Sequence, residues 1–163
     1  MYREMRRKDR QIPREEAILL LKRAEYGVLS TVNPDGTPYA VPMNFIYHEN
    51  DNKIYFHAAK TGQKLDNMKL DPNPKVVFTV VGETKPVVES NSYSTIFEST
   101  IVFGSAYILK DPKEVKEALY ILTKKYFPND MHAFDAATTE ADLARLYVIA
   151  MDVEHISGKA KRG

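Results

Sequence analysis

A histidine, two lysines and a threonine fall within eight residues in His57-Ala58-Ala59-Lys60-Thr61-Gly62-Gln63-Lys64. The run Ile54-Tyr55-Phe56 before them has strand character, and Gln63 to Leu70 carries Leu65 and Met68 on one side of a short helix. A strand thus ends on a histidine and passes through small residues into a helix. The first turn of a helix has N–H groups without intrahelical partners and a partial positive charge, which together suit an anion such as phosphate. Lys60 and Lys64 bracket that start, Thr61 can cap the helix or bond a phosphate oxygen, and His57 can donate to the same anion. The same residues also read as a capped surface helix with solvated lysines. No glycine-rich phosphate loop or dinucleotide fingerprint decides between the two readings.

Other chemistry is largely excluded. With no cysteine, disulfides, zinc–thiolate sites, iron–sulfur clusters and a cysteine nucleophile are ruled out. His48, His132 and His155 lack metal-ligand spacing, so no metal site is expected. Glu98 and Ser99 have no histidine nearby in sequence to complete a hydrolase triad. Lys plus Arg is 23 against 22 Asp plus Glu, a balance that argues against a nucleic-acid partner. No apolar run reaches bilayer length and the start has no signal-like apolar segment, so a cytoplasmic protein without membrane partners is expected.

The elements that must position the His57–Lys64 segment follow from pattern. Ile12-Pro13 opens a helix with Glu15 and Glu16 in its first turn, Ala17, Ile18, Leu20, Leu21 and Ala24 on one face, and Gly27 as its stop. Val28–Val32 is a strand, Asn33-Pro34-Asp35-Gly36 a turn, and Tyr39–Tyr47 the return strand. Pro42 cannot donate to a ladder, so it marks an edge, a bulge or a ligand contact. Lys53–His57 completes a predicted antiparallel meander, and Lys75–Val81 is an apolar, central strand. Gly82–Phe97 reads as a long irregular loop, and Glu98–Leu109 as a long strand whose Gly104 marks a bend or a close backbone approach. Asp111-Pro112-Lys113-Glu114 starts a helix, Pro128–Glu140 is a linker, and Leu146–Val153 is the last strand. The expectation is a single mostly β domain over residues 1–163, six antiparallel strands closed into a barrel with flanking helices. Residues 1–11 and 158–163 are expected to be flexible basic tails.

The order of these parts resembles the flavin-binding split barrels related to pyridoxamine 5′-phosphate oxidase, and more closely their nitroimidazole-resistance branch. The stretches that carry the likeness are Gly27–Thr31, Asn33–Phe45, Tyr55–Lys64 and Glu98–Ala106, within a resemblance covering about residues 12 to 157. It implies FMN held between two subunits of a homodimer, with FAD or a deazaflavin as alternatives. Val41, Pro42, Met43 and Asn44 would lie along the isoalloxazine ring. His57 and Ala58 would line the ribityl chain and phosphate, and Gly62, Gln63 and Lys64 would hold the phosphate. Ser99 and Thr100 would reach the cleft from the partner subunit or from the same chain. The implied activity is electron transfer from reduced flavin to a small acceptor such as a nitroaromatic, with His57 as hydrogen-bond donor or proton source. NAD(P)H would dock transiently, because no dinucleotide fold is present. A non-catalytic flavin-binding module and a haem-binding split barrel are the alternatives. The nitroimidazole-resistance branch often has a cysteine that this chain lacks. Tyr39 and Gln63 stand where the oxidase itself uses arginines, so pyridoxamine-phosphate oxidation is not expected.

Overall fold

The computed structural model describes residues 2–163. After a short 3-10 turn at Lys8–Arg10, strand β1 (Gln11–Ile12) leads into helix α1 (Arg14–Arg23). Strands β2 (Gly27–Val32), β3 (Pro38–Met43), β4 (Ile46–His48) and β5 (Lys53–Ala59) follow, then helix α2 (Gln63–Lys69). Two long strands, β6 (Lys75–Glu89) and β7 (Ser92–Ile108), precede helices α3 (Pro112–Tyr126), α4 (Phe134–Ala137) and α5 (Glu140–Leu143), and β8 (Leu146–Lys161) closes the chain.

The hydrogen-bonded path runs β3-β2-β6-β7-β8-β5-β4, with β1 beside β8, and all pairings are antiparallel. Its two ends, β3 and β4, are joined by only Asn44 and Phe45. Laid flat, seven strands would set those ends roughly 30 Å apart at about 4.8 Å per strand. Two connecting residues span at most about 11 Å. The sheet must therefore curl until its ends meet, as a barrel split along the β3/β4 seam. Alternate residues of the strands fill its interior, Leu29, Ile54, Phe56, Phe78, Val102 and Met151, joined by Phe45 from the β3–β4 connection, all fully buried. The outer face of β5 and β8 is covered by α3 and α4 through Ala118, Leu119, Phe134 and Val148.

Several expectations are corrected. The structure has eight strands, not six, because β1 adds a short pairing and the predicted Tyr39–Tyr47 strand breaks at Asn44-Phe45 into β3 and β4. The meander is incomplete for the same reason: β2 pairs β3 and β4 pairs β5, but β3 does not pair β4. Gly27 is the first residue of β2, not a helix stop; a Cβ there would sit 2.3 Å from Phe78 Cζ. Gly82–Phe97 is not a loop. β6 and β7 continue through it as a two-stranded arm, paired from Thr84–Phe97 to Glu89–Ser92 after a shift near Val81. Such an arm is held by its ladder and needs no apolar alternation.

The Gly158–Gly163 tail is likewise strand as far as Lys161, with Lys159 paired to Gln11, the last residue of the expected N-terminal tail, and Gly158 paired to Ile12. Ile156, Gly158 and Ala160 alternate inward and bury against α1 and β1, while Ser157, Lys159 and Lys161 alternate outward. Pro128–Glu140 contains a 3-10 turn at Met131–Ala133, then α4, and the capping box of Thr139 and Asp142 that starts α5. The Asp111 cap stands as expected: its side chain accepts from the Lys113 N–H at 2.8 Å, with Pro112 in the first turn. Among the described residues no helix is long and apolar enough to cross a membrane.

Candidate functional site

β3 is an edge strand, hydrogen-bonded to β2 alone. Pro42 therefore sits where a residue without an N–H is tolerated. Burial alternates along β3: the side chains of Val41 and Met43 pack onto the barrel core, and Pro42 is exposed. Val41 and Met43 can thus offer only backbone to a ligand on the outer edge, whereas Pro42 and the exposed Asn44 can also offer side chains.

β5 alternates the other way. Ile54, Phe56 and Ala58 point into the barrel, and His57 points out. Ala58 is accordingly core and presents no side chain to the surface. His57 and Asn44, set opposite each other by the register of β4 and β5, both line a cleft of about 510 Å³ between the barrel wall and α3–α4. His57 makes no side-chain hydrogen bond among the described residues.

Gly62 begins α2 with φ of 126°, a value that suits glycine, and the Leu65 and Asp66 N–H groups both donate to its carbonyl. Thr61 does not cap this helix. The side chains around it are sorted by partner. Gln63 Nε2 donates to Asn33 Oδ1 at 2.9 Å, which ties the helix to the β2–β3 turn. The Lys60 ammonium lies 5.0 Å from the centre of the Tyr147 ring, away from the helix start. Lys64 is half-buried and forms no ion pair among the described residues. The edge of β3 thus runs between two points, the Asn33–Gln63 contact at one end and the Asn44–His57 cleft at the other, about 20 Å for six residues.

Ser99 and Thr100 do not line the cleft that holds Asn44 and His57. Thr100 pairs with Val80 of β6, three strands round the barrel from Met43 at the end of β3, roughly 14 Å at about 4.8 Å per strand. Thr100 is fully buried and its hydroxyl donates to the Ala17 carbonyl at 3.0 Å. Ser99 is half-buried, opposite Val81 and Lys159.

Two features escaped pattern reading. Asn67 lies buried between Leu65 and Met68, and its amide donates to Thr31 Oγ1 at 2.9 Å and Asn33 Oδ1 at 2.8 Å. Its signal was a polar residue on the apolar side of a short helix. Asn67→Leu strands the buried Thr31 hydroxyl, while Asn33 Oδ1 keeps Gln63, and we expect a loss of about 2 kcal/mol in urea denaturation. An unchanged midpoint would show that water replaces the amide.

The second feature is a clasp at the seam. Lys125 Nζ donates to the carbonyls of Ala24 at 2.7 Å and Phe45 at 3.0 Å, and lies 3.8 Å from the Phe45 ring centre. The Tyr126 hydroxyl accepts from the Phe45 N–H at 3.0 Å and has the Glu25 and Phe45 carbonyls as acceptors for its own proton. Asn44 Nδ2 donates to the same Glu25 carbonyl at 3.1 Å. Where the strand breaks no ladder serves these groups, so side chains from α3 do.

Burial lowers the Lys125 pKa from its ordinary 10.5 to about 8, against the pull of nearby Glu25. Between those values the unfolded chain holds a proton that the folded chain has released, so stability from this site rises with pH across that window. A neutral amine keeps two N–H groups, enough for both carbonyls. The unchanged protein should therefore gain stability over Lys125→Met between about pH 8 and pH 10.5 in urea titrations. A pH-independent difference between the two would contradict this.

No curated protein matches this chain. Among solved structures it is similar to a candidate 5-nitroimidazole antibiotic resistance protein of Bacteroides thetaiotaomicron, at 25% identity and a TM-score of 0.78 over 91% of this chain and 85% of the other. A FAD and haem binding protein of Mycobacterium smegmatis matches at 24% identity and 0.79, over 94% and 74%. A flavocytochrome of Azotobacter vinelandii matches at 16% and 0.83, over 98% and 73%. The last two likenesses speak to the fold alone. The family model described as pyridoxamine 5′-phosphate oxidase matches residues 13–160, which takes in the whole barrel, the β3 edge and the start of α2. The chain belongs to the pyridoxamine 5′-phosphate oxidase family of flavin-binding split barrels.

Proposed function

We propose that this protein binds FMN and passes electrons from the reduced flavin to a small acceptor of the nitroaromatic kind. The observation that carries the reading is the unpaired β3 edge, which links a lysine-bearing helix start to a cleft holding His57. The donor set fits the cofactor. Backbone groups along Val41–Asn44 can meet the polar edge of a flavin ring, and the Gln63 and Lys64 N–H groups with the Lys64 ammonium can meet a phosphate. FAD and a deazaflavin present the same phosphate chemistry to this corner.

Bound flavin would supply the electron transfer, while the chain supplies position and electrostatics. His57, facing the cleft with no protein partner, can donate a hydrogen bond or a proton to an acceptor there. NAD(P)H is the expected donor and docks transiently. Membership of the family does not by itself fix the substrate. Gln63, bound to Asn33, and Tyr39 supply no cation for a phosphorylated pyridine, which supports a substrate other than pyridoxamine phosphate.

The β6–β7 arm supports a homodimer. Val88 and Tyr93 are 70% and 91% exposed on it, apolar surface that a second copy can cover. Ser99 and Thr100 would reach the flavin site from the partner subunit or from the same chain. The protein is expected to sediment as a dimer and, after anaerobic reduction by NADPH or NADH, to regain flavin colour on adding a nitroaromatic. Bleaching that no acceptor reverses would favour a binding module without turnover.

A further inference from the structure

We propose that the cleft between α3, α4 and the outer wall of β5 and β8 binds a small, neutral, planar aromatic ligand. That this ligand is the electron acceptor rests on the flavin reading above.

The cleft measures about 510 Å³, within the range of ordinary small-molecule sites. Its floor is apolar, formed by Leu119, Leu122 and Phe134, all buried. Phe127 stands at its rim, 57% exposed, an aromatic face with little protein against it. A flat apolar ligand would cover that surface and gain from ring contacts.

The polar groups narrow the class further. Asn44 and His57 both line the cleft, and the β4–β5 register from Ile46↔Tyr55 sets them opposite each other, so the ligand should carry an oxygen or nitrogen there to accept or donate a hydrogen bond. Among the described residues no lysine or arginine lines the cleft, and the one carboxylate there belongs to Asp130. An anionic ligand would lose hydration there without a cation to pair with, and would face Asp130. The cleft therefore selects against carboxylates and phosphate esters and accepts neutral rings bearing a nitro or carbonyl group. Asn44 and His57 also end the β3 edge, so such a ligand would sit beside the ring end of a flavin laid along that edge.

Calorimetric titration of the purified protein with nitrobenzene and with 4-nitrobenzoate tests this. Nitrobenzene should bind at least about tenfold more tightly than the anion, because only the anion pays for a buried charge. Ala137→Trp and Thr123→Trp place an indole in the cleft from exposed and half-buried positions outside the flavin contacts. Each should weaken nitrobenzene binding at least about tenfold by exclusion, while flavin absorbance and circular dichroism stay unchanged. Equal nitrobenzene affinity in the unchanged protein and a folded tryptophan variant would overturn the proposal, as would tighter binding of the anion. A colourless protein whose nitrobenzene binding is still blocked by the tryptophans would support the cleft and overturn only the flavin reading.

Discussion

Lys64→Glu is expected to purify without flavin under conditions in which the unchanged protein retains it. Lys64 sits in the first turn of α2, behind Gly62, where the N–H groups of Gln63 and Lys64 precede the helix ladder. Among the cations of the segment it is the one placed for the corner, because the Lys60 ammonium is drawn over the Tyr147 ring. Losing a charge-assisted hydrogen bond to a phosphate costs about 1.5–3 kcal/mol, and a carboxylate adds repulsion of similar size. Together these amount to a hundredfold or more in Kd, since about 1.4 kcal/mol is a factor of ten. Lys60→Glu serves as the contrast and should keep its flavin. Equal flavin content in Lys64→Glu and the unchanged protein would remove Lys64 from the site.

Gly104→Val should destabilise the chain by about 3 kcal/mol or more, enough to threaten folding. A Cβ at this position would lie 2.0 Å from the Asp152 carbonyl oxygen, and that oxygen belongs to backbone that cannot rotate away. The β7–β8 register shifts at Phe103/Gly104, so β8 approaches β7 most closely where the side chain is missing. Gly36→Asn is the matching control. Gly36 has φ of 84° in open space, a conformation asparagine tolerates, so its urea midpoint should barely move. A Gly104→Val protein as stable as the unchanged chain would show that β8 can retreat from β7.

The architecture was legible in the sequence wherever burial imposed a period. Ala17, Ile18, Leu20 and Leu21 gave α1, Asp111-Pro112 gave the start of α3, and Pro42 and Gly104 marked an edge and a close approach that the structure confirms. Legibility failed where no face is buried. The β6–β7 arm is exposed on both sides, so Pro86 and its serines and threonines read as loop although backbone pairing holds them in strand. It also failed where small residues replace bulky ones: Gly158 and Ala160 fit tightly under α1 and β1, yet between lysines they read as tail.

The candidate site divides in the same way. His57 and Lys64 were visible as residue types near a strand end and at a helix start, although β5 runs two residues past His57 to Ala59. Lys125 and Tyr126 were not, because their work is set by where the barrel closes. That closure brings residue 125 to carbonyls at residues 24 and 45, a long-range contact with no local pattern.

The central claim is that a flavin lies along the β3 edge with its phosphate at the start of α2. The most direct measurement is the absorbance of the purified protein together with the mass of whatever is released on denaturation. The expected result is a flavin spectrum and the mass of FMN, with the apo-protein recovering the same spectrum when FMN is added back. A protein that stays colourless at saturating FMN, or one that shows only a Soret band, would contradict the account.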